Sequence, residues 1–159
     1  MRTLTKILVL VLSLTLFCCG GNDKKEDVSY GKKEPAKTVS KVPASQRVEL
    51  SNKGAGSITK VDLPLVVDDE LAAHGKEVYD KMCTACHKAE KKFIGPSPKG
   101  ILERRSPEWV MNMILNPEKM VKEDQLARDL LMEFNGSPMA NQNLTQEEAR
   151  AVLEYFRTL

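Results

Sequence analysis

Two thiols and an imidazole stand together in Cys83-Thr84-Ala85-Cys86-His87. Positions three apart on a helix share a face, so Cys83 and Cys86 can reach two neighbouring groups on one flat partner. His87 follows directly and can turn its ring beneath that partner. The chemistry that uses this trio is covalent haem attachment, with thioethers from both cysteines to the porphyrin vinyl groups and the histidine as proximal iron ligand. Rival chemistries need parts that are missing. A structural zinc site takes four ligands, but the other cysteines are Cys18 and Cys19 in the leader and the other histidine is His74. A redox dithiol sits beside a strand of a βαβ unit, and no β-branched run precedes Cys83. A disulfide between positions i and i+3 of a helix has poor geometry.

An iron held by His87 on one face needs a ligand for the other, and seven methionines are available. Met82 shares the helix of the cysteine pair and reads as core. Met111, Met113 and Met120 fall in a helical zone around Trp109, and Met132 in a helix that also reads as core. Met139 differs. It lies in Asn135-Gly136-Ser137-Pro138-Met139-Ala140-Asn141, where Gly136 and Pro138 break helices and free the backbone to bend. A distal ligand must arrive on such a loop, because one helix cannot reach both faces of the ring. His74, the competitor, sits on the same helix as His87 and is badly placed for the far side. Met sulfur favours reduced iron and raises the potential above that of a bis-histidine iron.

The elements that must position these groups are helical. A first helix is expected over Asp68–Thr84, with Leu71, Gly75, Val78, Tyr79 and Met82 on or near one face. A second starts with Ser106 as N-cap and Pro107 in its first turn and runs to Leu115. A third spans Pro117–Phe134 and stops at Asn135-Gly136. The fourth opens with Thr145 and Glu148 as a capping box and runs to Arg157. Gly75 lacks a side chain where the last helix would cross the first, and Tyr79 and Tyr155 are the expected aromatic partners there.

Four landmarks in order carry a resemblance to the class I cytochromes c, extending from Asp68 to Leu159. They are the helix Gly75–Met82 leading into the cysteine pair, the loop Ile94-Gly95-Pro96-Ser97-Pro98-Lys99-Gly100-Ile101, the loop Ser137-Pro138-Met139, and the final helix ending Leu153-Glu154-Tyr155-Phe156-Arg157. The resemblance implies an all-α fold, four helices wrapped around one covalently bound haem c, with His87 and Met139 as axial iron ligands. It also implies that the Pro96 carbonyl accepts from His87 Nδ1–H, and that Trp109 directs its indole N–H toward a haem propionate.

Upstream of that region the chain changes character. Arg2 and Lys6 precede a run from Ile7 to Phe17 that is apolar except for Ser13 and Thr15, the layout of an export signal. Leu16-Phe17-Cys18-Cys19-Gly20-Gly21 resembles a bacterial lipoprotein cleavage site. Cys19 is the expected lipidated residue, with Leu16 three positions before it; Phe17 departs from the usual small residue, and Cys18 is the alternative. The expected organisation is a signal peptide over 1–18, a lipid-anchored flexible linker over 19–62, and a folded domain over 63–159. The linker assignment follows from polar composition, with few large apolar side chains.

Net charge is +2 over 159 residues. From Leu63 onward, 13 basic residues face 16 acidic ones, and no basic stripe interleaved with aromatics occurs there, so nucleic-acid binding has no support. A saturated iron leaves electron transfer as the expected function rather than enzymatic turnover. The alternative is a haem sensor with labile Met139. A peroxidase would need an open iron position and distal acid–base groups, which the chain lacks. Expected partners are redox proteins: a quinol-oxidising complex as donor and a terminal reductase or oxidase, nitrous oxide reductase among them, as acceptor. The cluster Lys88, Lys91, Lys92 and Lys99 could steer docking. The expected location is a bacterial membrane surface facing the periplasm, reached by lipid anchor.

Overall fold

The computed structural model describes residues 41–159. The signal peptide, the lipidation site at Cys19 and the linker up to residue 40 lie outside the described residues. Helix α1, Asp69–Met82, starts where Asp68 turns extended and accepts a hydrogen bond from Leu71 N at 3.0 Å. Asp69 and Glu70 in its first turn suit the positive end of the helix dipole. Its buried face holds Ala72, Gly75, Val78 and Tyr79. A 3₁₀ turn, Ile101–Glu103, follows a long loop, and then α2 spans Pro107–Leu115. Ser106 caps α2 by accepting from Trp109 N at 3.1 Å, and Pro107 fills the first position, where no N–H is needed. Asn116 ends α2 and caps α3, Pro117–Glu123; Asp124 ends α3 and caps α4, Gln125–Glu133. Last is α5, Gln146–Phe156, opened by the reciprocal Thr145–Glu148 capping box.

Helices α1 and α5 cross at Gly75. A β-carbon there would lie 1.9 Å from the Ala151 carbonyl oxygen, so only glycine permits the approach. Tyr79 packs beside this crossing, with ring centroids 5.4 Å from Tyr155 and 5.8 Å from Phe156. Val78, Val110, Met111, Ile114, Val152 and Leu153 carry the core from this crossing onto α2. Glu154 is fully buried, yet its carboxylate accepts from Asp68 N, Arg150 and Arg157, which ties the start of α1 to α5. Among the described residues there is no strand, only an isolated bridge between Glu49 and Arg105.

Three expectations need correction. The single helix expected over Pro117–Phe134 is two, broken at Asp124, whose backbone is extended (φ −104°, ψ 127°). There the carboxylate accepts from Ala127 N at 2.8 Å, Trp109 Nε1 at 3.2 Å and Asn52 Nδ2 at 2.8 Å. A short acidic side chain that satisfies three donors by leaving the helix outweighs continuing it. Met132, expected in the core, is 74% exposed on the outer face of α4.

The third correction is larger. The last part of the expected linker, residues 43–62, is packed against the helices as a strap. Ala44 and Ile58 are buried. The buried Asn112 side chain receives Ile58 N at 3.0 Å and donates to the Lys53 and Ile58 carbonyls at 2.9 Å. Ser106 Oγ donates to the Asn52 carbonyl at 2.6 Å, and Ala55 N lies 3.0 Å from the Met120 sulfur. The folded unit therefore begins near residue 43, not 63. Because the strap is ordered through its backbone groups, its side-chain composition resembles a solvated segment.

Candidate functional site

After Met82 the helix tightens: Cys86 N and His87 N both donate to the Cys83 carbonyl, at 3.1 and 2.9 Å. That turn presents Cys83, Cys86 and His87 to a cavity of about 640 Å³, within the range of sites for small molecules and cofactors. Its walls are mostly apolar and come from the first four helices, the loops adjoining them and the strap. Met82 of α1, Trp109 and Met113 of α2, Val121 of α3 and Leu130 of α4 contribute, together with Ile94, Gly95 and Pro96 of the first long loop. The loop after α4 supplies Ser137, Pro138, Met139, Ala140 and Gln142, and the strap supplies Pro43, Ser45 and Gln46. A small apolar extension of about 90 Å³ reaches Tyr79, Val152 and Phe156, and it too is lined by His87 and Met139.

His87 is held by its surroundings. Its Nδ1 lies 2.8 Å from the Pro96 carbonyl oxygen. A ring nitrogen that donates to a carbonyl is the protonated one, so Nε2 carries the lone pair that a metal needs. Gly95 makes room for the ring, since a β-carbon there would meet His87 Cε1 at 2.4 Å. The turn that delivers Gly95 is closed by its N–H to the Cys86 carbonyl at 2.9 Å. Met139 lines the same cavity and is half-buried in a loop that starts with two left-handed residues, Asn135 (φ 57°) and Gly136 (φ 70°).

Of the residues singled out in the sequence, Cys83, Cys86, His87, Pro96, Trp109 and Met139 all line this one cavity. Trp109 does so differently from expectation. Its indole N–H is committed to the Asp124 carboxylate, so the ring forms wall and the donor is unavailable to a propionate. His74 sits exposed on α1 and does not line the cavity. Ser45, Gln46, Arg104 and Arg105 also line the site, and no motif pointed to them. The two strap residues were hidden by the linker assignment, and the arginines by their place in a charged run. Arg105 is 1% exposed and donates to the Ala44 carbonyl at 2.5 Å and to the Arg47 carbonyl.

The Cys83 thiol lacks the mark of a redox-exchange cysteine. Burial, with Cys86 nearby, pushes the Cys83 thiol up to about 11, whereas exchange-active cysteines have lowered values. Burial likewise pushes the Tyr79 hydroxyl up to about 12, and that hydroxyl has no hydrogen-bond partner. Among the described residues no cluster of three or more His, Cys, Asp or Glu side chains could hold a bare metal ion. Two thiols, an oriented imidazole and a thioether around one apolar cavity suit a flat macrocycle that brings its own iron.

An all-helical fold closed around such a cavity defines a protein that carries covalent haem. The family model for cytochrome c matches residues 72–159, and the chain belongs to the cytochrome c family. Its cofactor is haem c with its iron, and the electron-carrier role of that family is its general function. Among solved structures, cytochrome c from Rhodothermus marinus is similar over 65% of this chain and 88% of that one, with 37% identity and a TM-score of 0.63. Two engineered forms of the R. marinus protein match at 36% identity, with TM-scores of 0.62 and 0.60, the second with a bound carbene intermediate. No curated protein sequence matches the chain. No described helix is long and apolar enough to cross a membrane.

Proposed function

We propose that this cytochrome c carries single electrons in a respiratory chain, with His87 and Met139 as the axial ligands of its haem iron. One observation carries the reading: an imidazole with its Nδ1 tied to Pro96 and a loop-borne thioether line the same cavity as both cysteines. The haem supplies a one-electron ferric/ferrous couple when bound. The chain's own residues do the rest. Cys83 and Cys86 hold the ring, the Pro96 carbonyl fixes the imidazole and raises its basicity, and Trp109, Met113 and Leu130 exclude water. A thioether ligand favours reduced iron, so the potential is positive, which suits a late step between a quinol-oxidising complex and a terminal reductase or oxidase. Nitrous oxide reductase is a candidate acceptor.

Anchoring through a lipid on Cys19 completes the reading, with the carrier held at the outer face of a bacterial membrane. Docking to partners would use the cavity rim, where Phe93 and Ile94 are about half exposed. Lysines flank these residues in the chain. Lys88 lies over the Phe93 ring at 5.1 Å and Lys92 over Phe134 at 4.5 Å, while Lys99 pairs with Glu90 at 3.0 Å. The positive rim suits an acidic partner surface and salt-sensitive turnover.

The test uses the mature chain made in a host that attaches haem. The expected results are one added haem mass and a sulfur-to-iron charge-transfer band in the oxidised spectrum. M139A is expected to lose that band and lower the potential. A wild-type protein that lacks the band and rapidly binds carbon monoxide when reduced would overturn the axial assignment in favour of a sensor.

A further inference from the structure

The strap touches the site at one particular place. Ser45 donates twice to the Glu133 carboxylate, from its N–H at 2.8 Å and its hydroxyl at 2.5 Å. One helical turn earlier, Asp129 receives the Arg47 guanidinium at 2.7 Å. The same strap residues are held from behind by Arg105, which donates to the Ala44 and Arg47 carbonyls. Glu133 is the last residue of α4. Immediately after it come Phe134, which ends the helix, the left-handed pair Asn135 and Gly136, and the loop bearing Met139. The turn is closed on the end of α4, with Gly136 N donating to the Leu131 carbonyl at 2.8 Å and Ser137 N to the Phe134 carbonyl at 3.1 Å, while a β-carbon at Gly136 would meet nothing within 4 Å. Ser45, Glu133 and Met139 all line the cavity.

We propose that the Ser45–Glu133 clasp, backed by Arg47–Asp129, is a positioning device for Met139, which makes the strap a working part of the haem site. The inference rests on the axial assignment above. Because the turn through the two left-handed residues is hydrogen-bonded to the end of α4, the loop bearing Met139 swings with the helix end that carries it. Tying that point to a strap fixed on Arg105 limits the swing and keeps the thioether over the cavity. Without the clasp, the loop samples positions in which Met139 is withdrawn, and an outside ligand competes for the vacated position. Such competition follows the population of the withdrawn state.

The experiment compares holoprotein variants S45A, E133Q and S45T with I58A, measuring imidazole affinity of the oxidised protein alongside the charge-transfer band and Tm. I58A unpacks the far end of the strap, against Asn112, and controls for general loss of stability. S45A and E133Q are expected to bind imidazole about tenfold more tightly than wild type and to show a weakened band. S45T, which keeps the hydroxyl, should remain near wild type. I58A should lower Tm with imidazole affinity unchanged. If S45A and E133Q change affinity no more than I58A does, the clasp is merely structural and the proposal is wrong. Failure of the axial assignment is separately visible, because the wild type itself would then lack the band.

Discussion

Glu154 shows how one residue can couple two helices and make the fold sensitive to acid. Its side chain is fully buried, and burial alone pushes its carboxyl up. Hydrogen bonds from Asp68 N and Arg150, with the charges of Arg150 and Arg157, outweigh burial and hold it below the usual 4.5. A carboxyl with a lowered folded-state value contributes stability that is fully present above its unfolded value and lost as pH falls through the folded one. Stability should therefore fall as pH drops below about 4.5. The variant E154Q should be less stable at pH 7 by about 2 kcal/mol, on the scale of a hydrogen-bonded buried charge, and should show a flatter acid limb. Thermal melts of both proteins from pH 3 to 7 check this; parallel curves would show that Glu154 is not the acid-sensitive link. The residue is anonymous in the sequence, one glutamate in an amphipathic helix. By contrast, the thiols and imidazole of Cys83–His87 were legible because their spacing has few other uses.

Among the elements, α1, α2 and α5 could be read with accurate ends, since local signals agree there. Ser106 before Pro107 and the Thr145–Glu148 box mark their helix starts without any help from distant residues. The break between α3 and α4 could not be read, because the apolar period runs on and the stop depends on Trp109 and Asn52, both remote in sequence from Asp124. Helical pattern alone also misplaced Met132, which stays exposed because the partner surface of α4 does not extend around to it. Removing the carboxylate tests the break. D124A leaves α4 uncapped, costing about 1 kcal/mol, and strands the buried Trp109 N–H, costing a further 1–3 kcal/mol. The expected loss is about 2–4 kcal/mol in denaturant unfolding. D124N keeps an acceptor for both and should lose less than half of that. Equal losses in the two variants would mean that charge, not acceptor geometry, holds the junction.

At the scale of the whole molecule, the sequence drew the folded unit too small. A helix advertises itself by period, but the strap over 43–62 is held by what its backbone meets: Asn112, Ser106, Arg105 and the Met120 sulfur, all supplied by other elements. Gly54 and Gly56 mark the closest contacts, where β-carbons would lie 2.6 Å from Met120 Cε and 2.0 Å from Asn112 Oδ1. Neither glycine signals this in isolation, since glycine is equally common in linkers. Truncation separates the two boundaries. Holoprotein starting at residue 41 should melt with the full-length mature chain. Holoprotein starting at residue 63 loses the partners of buried Asn112 and of Arg105, each an unsatisfied polar group costing about 1–3 kcal/mol. At roughly 4–8 °C per kcal/mol for a domain of about this size, its Tm should fall by at least about 8 °C. Since the strap also clasps Glu133, the shorter protein should in addition bind imidazole more tightly. An unchanged Tm on removal of residues 41–62 would return the strap to the linker and leave the helices as the whole of the folded unit.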